Sequence, residues 1–137
     1  MATAPQFVTT VNKGTPGVLT AANTALDGTG ATGRQLVFTA GAFGSVLPSI
    51  RFMHKGTNVA TVMRAFRNNG SDPEVTTNNT LIGEKTVSAN TLSQVEESTA
   101  YELTLNVKLA ASERIYVTMG TAVAAGIHIS PMNGGDF

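Results

Sequence analysis

The chain has no cysteine, no tryptophan and little charge: nine basic and nine acidic residues in 137, or 13%, with a formal net charge of zero. An ordinary soluble domain is about 25% charged. The absence of cysteine excludes a disulfide framework and any thiolate metal site. The even charge balance excludes the basic stripe that neutralises a nucleic-acid backbone. With six Phe and two Tyr, platforms for stacking bases are also scarce. No apolar run approaches the ~20 residues a membrane helix needs. Met1-Ala2-Thr3-Ala4-Pro5 lacks the charged and apolar regions of a secretory signal, so the chain is expected to be made in a cytoplasm and released by lysis or assembly.

What the chain does have is 20 threonines and 10 asparagines. Hydroxyls, amides and backbone must therefore wet much of its surface. Charge normally keeps a domain soluble and apart from its neighbours. A near-neutral, Thr/Asn-rich surface is better suited to lying against another surface. At this length the chain reads as one domain with one core.

Two regions differ in pattern. Residues 1–33 read as an extended N-terminal arm and Gly/Thr-rich loop, with a short strand possible at Gln6–Val11 and anchors at Val18, Leu19 and Leu26. Residues 34–137 read as the β-sandwich domain. Alternation predicts strands at Arg34–Ala40, Val46–Lys55, Val59–Asn68, Thr80–Ala89, Tyr101–Leu109, Glu113–Met119 and Ile127–Ser130, joined by Gly/Asn/Asp turns. Pro48 predicts an edge or a bulge. The tail Asn133–Phe137 reads as mobile, and Leu92–Thr99 could make one helical turn at most. The spacing predicts an all-β fold, an antiparallel β-sandwich or jelly roll of about seven to eight strands.

Catalytic patterns are weak. His54 and His128 fall on predicted strands with no third His to complete a zinc site, and read as partly exposed, hydrogen-bonded strand residues. Asp27-Gly28-Thr29-Gly30-Ala31-Thr32-Gly33 has the glycine density of a phosphate loop but lacks the Lys-Ser/Thr ending, and its Asp-Gly-Thr-Gly has no second copy for an aspartic-protease dyad. Glu96-Glu97 reads as a solvated turn without EF-hand spacing. No serine sits in a nucleophile elbow. These readings predict no enzyme activity, no cofactor and no metal.

Arg51, Arg64 and Arg67 lie on consecutive predicted strands. If those strands pair, they form a small basic patch suited to an interface. Otherwise they are solvated beside cross-strand partners such as Glu84 or Glu102.

Three strings carry a resemblance: Leu19-Thr20-Ala21-Ala22-Asn23-Thr24-Ala25-Leu26-Asp27-Gly28-Thr29-Gly30, Gly56-Thr57-Asn58-Val59-Ala60-Thr61-Val62-Met63-Arg64, and Gly120-Thr121-Ala122-Val123-Ala124-Ala125-Gly126. From about Val18 to the C-terminus the chain resembles small proteins of tailed-bacteriophage structural gene clusters, in particular head decoration (cement) proteins. The resemblance implies a β-sandwich on the outer capsid surface of the virion, a homotrimer, with the major capsid protein as partner and neither nucleic acid nor membrane. A tail- or fibre-associated module is the alternative within the virion, and a glycan-binding module the alternative outside it. The contact residues expected on this reading are Thr3, Pro5, Phe7, Thr9, Val11, Leu19, Leu26, Arg51, Arg64 and Arg67.

Overall fold

A computed structural model describes residues 7–137; Thr3 and Pro5 lie outside the described residues. The strands are β1 (Thr10–Val11), β2 (Gly17–Leu19), β3 (Arg34–Thr39), β4 (Ser45–His54), β5 (Thr61–Asn68), β6 (Asn79–Val87), β7 (Tyr101–Leu109), β8 (Arg114–Met119), β9 (Ile127–Met132) and β10 (Gly135–Asp136). A 3-10 turn spans Thr76–Asn78. All pairings are antiparallel, and two sheets pack face to face as a β-sandwich.

The second sheet runs β3-β8-β5-β6. In the first, β4 holds β7 along one edge, with β9 and β10 end to end along the other. Then β2 and β1 border β9 and β10 in turn. Each sheet is thus four strand positions wide. Between them lie Leu47, Ile50, Phe52, Met63, Val87, Ile115, Val117, Met119, Ile127 and Ile129, fully or almost fully buried. Alternation explains the set, since residues two apart share a face of a strand.

Pro48 accounts for the broken pairing of the first sheet. It sits in a central strand and has no N–H to donate. Opposite it on β7 the register slips between Leu47 and Ser49, and Asn106 takes a φ of 48°. On the other side β9 gives way to β10 through Asn133, whose φ is 62°. One missing donor thus coincides with a seam across the sheet, and the bulge expected at this proline is there.

Several expectations are corrected. The tail is not loose: Gly135–Asp136 is paired on both sides, and Phe137 N–H donates to Gly44 O at 3.1 Å. The described part of the N-terminal stretch supplies β1 and β2, and Leu19, paired with Ile127, enters the core. A bulge between Leu36 and Phe38 turns both Val37 and Phe38 inward, where strict alternation would set neighbouring residues on opposite faces. His54 is buried, with neither ring nitrogen hydrogen-bonded, and meets Tyr101 edge-on at 5.8 Å; His128 is exposed. Burial holds the His54 imidazole below its ordinary pKa, with the Asn58 side chain opposing.

Candidate functional site

Phe66 and Tyr116 are buried yet stand outside the main core, because their chain neighbours Ala65, Ile115 and Val117 face inward. Phe66 and Tyr116 are register partners on the outer face of the second sheet, next to the pair Arg64 and Thr118 two residues along β5 and β8. The Gly/Thr-rich segment between β2 and β3 crosses this face. It is tied at Met119, whose carbonyl accepts from Asn23 N–H at 2.7 Å, and at β6, where Asn79 Nδ2 donates to Asp27 O at 3.1 Å.

The segment is a closed loop of the Ω type, its ends touching: a Cβ on Gly33 would lie 2.6 Å from the Ala22 carbonyl. Buried Asn23 staples it, donating to Thr29 O and Gly30 O at 2.9 and 2.8 Å and accepting from Ala25 N–H. Glu74 accepts from Gly30 N–H at 3.1 Å and from Arg34 Nη1 at 2.7 Å. The Gly30 amide and then Arg34 hold the Glu74 carboxyl below the usual range. Arg34 itself lies 5.1 Å over the Tyr116 ring, a cation–π contact that joins the loop to the face below. The glycines thus serve a tight cover, with no phosphate-binding helix behind them.

Beside this loop opens a groove of about 310 Å³, lined by Thr24 and Leu26 from the loop, Ala60, Thr61, Val62 and Arg64 from β5 and its approach, Thr86 from β6, and Gly120 and Thr121. Leu26 is 67% exposed there. Arg64 lies flat, its side chain 17% exposed, with Nε donating to Glu84 at 2.8 Å. Gly120 makes room for it, since a Cβ there would stand 3.0 Å from Arg64 Nη1. A second groove, of about 410 Å³, follows the seam of the first sheet between Val8, Val11 and Lys13 on one side and Pro131, Met132 and Asn133 on the other. Phe7, 72% exposed, and Val11, 82% exposed, stand near it with Thr9, which is tied to Asp136 O.

The expected contact residues therefore separate into groups. Leu26 and Arg64 share the groove of the second sheet. Phe7, Thr9 and Val11 share one edge of the first. Leu19 is a core residue and presents no side chain to a partner. The arginine patch does not form, because β4 and β5 belong to different sheets. Arg51 pairs with Glu102 at 3.7 Å, Arg64 with Glu84, and Arg67 with Glu113 at 2.5 Å, so cross-strand carboxylates take up their charge.

Sequence reasoning missed the buried asparagines. Asn58 donates to Val59 O and Ser88 O and accepts from Asn90 N–H, closing the loop between β4 and β5 onto the one between β6 and β7. Asn68 donates to Asn79 Oδ1 and accepts from Gly70 N–H. Their signal is positional: Asn68 ends β5 and Asn58 lies in the connection before it, both beside turn residues, where a side-chain amide replaces a backbone partner.

Among the described residues no three His, Asp or Glu come together as metal ligands, and no helix is long and apolar enough to cross a membrane. No protein-family model, curated protein or solved structure matches the chain.

Proposed function

We propose that the protein is a non-enzymatic structural component of a phage virion that decorates the capsid by binding across neighbouring major capsid subunits, as a homotrimer on the outer surface. The carrying observation is the disposal of charge. Four of the five arginines need no outside partner: Arg34, Arg51, Arg64 and Arg67 each meet a glutamate of the same chain. The remaining surface is mainly exposed threonine and scattered apolar side chains, with two shallow grooves in different sheets. Such a surface repels little and offers several weak contacts. A module bound at several points gains strength from avidity without one dominant pocket.

The jelly-roll form of the sandwich belongs to the same reading. With β1/β2 and β9/β10 each counted as one strand, the order is (β1/β2)-(β9/β10)-β4-β7 in one sheet and β3-β8-β5-β6 in the other, which supports it. A glycan-binding role has less support: Tyr116 lies under the loop and Tyr101 packs against the core, so neither offers an open aromatic platform.

The test is to quantify the protein in purified virions and in tail-free heads. Many copies retained on heads are expected. A handful of copies, lost with the tails, would assign the protein to the tail instead.

A further inference from the structure

We propose that the groove beside the Ω loop binds an extended, uncharged polypeptide segment of a partner protein, with Arg64 and the rim threonines donating to its backbone carbonyls. The inference rests on the reading that the chain docks on other virion proteins, and adds the site and the chemistry of its occupant.

The first argument is charge complementarity. Arg64 gives its Nε to Glu84, which neutralises the only charged side chain lining the groove among the described residues. Its terminal nitrogens make no hydrogen bond among the described residues, and Gly120 keeps the space around Nη1 clear. A carboxylate arriving there would meet Glu84 as well as Arg64. A neutral carbonyl takes the same donors without a full negative charge for Glu84 to repel. A groove with zero net charge and unused donors thus favours a neutral acceptor over an anion.

The second argument is the lining. Leu26, Val62 and Ala60 form an aliphatic wall, while Thr24, Thr86 and Thr121 supply hydroxyls along the rim. Alternating apolar and acceptor groups are what an extended chain presents, with side chains on one side and carbonyls at regular spacing. A neutral sugar would use the same donors but stacks on an aromatic face. Phe66 and Tyr116, the aromatics of this sheet face, are buried.

The experiment follows backbone amide shifts by NMR on the full chain, titrated with three probes: acetyl-Ala-Val-Thr-Val-amide, acetyl-Ala-Asp-Val-Asp-amide and maltotriose. The neutral peptide is expected to shift Val62, Thr86 and Thr121 saturably, and equally at low and high salt, since no net charge is screened. Leu26→Asn and Arg64→Gln should each weaken it by about tenfold, the scale of one lost contact of about 1.4 kcal/mol. Leu26 is exposed, whereas Arg64 is largely covered and paired with Glu84, so an unchanged melting temperature is required of each variant to show that folding is intact. Gly120→Ala, which crowds Nη1, should weaken it as well. Absence of shifts at these residues, preference for the acidic peptide, or binding of maltotriose alone would each overturn the proposal.

Sedimentation with heads separates the two readings. If the wild type does not bind heads yet binds the neutral peptide, the capsid reading fails and the groove stands. If the wild type and the groove variants bind heads equally well, the groove is not the docking site.

Discussion

Two long connections of similar length behave in opposite ways. The one between β2 and β3 carries Gly28, Gly30 and Gly33 at positive φ, the usual marks of a pliable loop. Yet it buries Asn23, Gly28 and Gly33 and is held to β6, β8 and Glu74 by side-chain and backbone hydrogen bonds. The connection between β6 and β7, Ser88 to Ala100, contains no glycine and is exposed along nearly its whole length, with Val95 91% exposed at its tip. Beyond its base at Asn58–Asn90, its hydrogen bonds are local, from the Val95 and Glu96 amides to Ser93 Oγ. What separates the two is what lies beneath. The first covers Phe66 and Tyr116, while the second crosses no apolar face. Glycine allows a tight path; burial decides whether the path is fixed.

The largest test of this contrast is Phe66→Ala, which removes the floor under the Ω loop. A loss of about 3–5 kcal/mol is expected in chemical denaturation. A loss below about 1 kcal/mol would show that the loop stands without its apolar support.

Asn23→Ala comes next. It leaves the Thr29 and Gly30 carbonyls and the Ala25 amide without their buried partner, and about 2–3 kcal/mol should go with them at roughly 1 kcal/mol per bond. Asn90→Ala, in the other connection, should cost far less, since Asn58 supplies the side-chain bonds there.

Acid should act in two stages. His54 has a folded pKa below its ordinary 6.5, so the native state resists protonation. Stability is complete above pH 6.5 and falls as pH drops towards the lower folded value, because the unfolded chain takes the proton first. Asp136, held low by the Ser45 hydroxyl and then the Asn12 amide, adds a second decline below its ordinary 3.8. His54→Phe should abolish the first stage and leave the second; thermal melts between pH 7 and 3 read both.

Glu74→Gln should loosen the Ω loop locally, seen as faster hydrogen exchange at Gly30 with little change elsewhere. The smallest effect belongs to the other connection. Replacing residues 91–97 by a short Gly-Ser linker should shift stability by no more than about 0.5 kcal/mol, because a loop that packs on nothing contributes mainly closure entropy.

Much of the sandwich is legible in the sequence alone. The period-2 runs located β3 to β9 to within a residue or two, because each has one face in the core and the alternation records it. Pro48 announced its bulge. The candidate site was legible only in fragments: Leu26 stood out as an apolar residue in a polar segment and Arg64 as a strand arginine, but nothing linked them. A patch of Arg51 with Arg64 requires that their consecutive strands pair, whereas β4 and β5 lie in opposite sheets. The tail looked loose because Asn133-Gly134-Gly135 reads as a turn, and it serves as the break that lets β10 continue beside β4 past Pro48.

The sequence by itself determined the all-β class, the strand positions and a surface short of charge, since these follow from local alternation and composition. Tertiary structure decided how the scarce charge and abundant amide are used. Arginines meet glutamates distant in the chain, buried asparagines bond turn backbones, and a glycine-rich segment becomes a fixed cover over two aromatics. Those outcomes depend on which strands become neighbours, and strand order is set by how the two sheets close over one core.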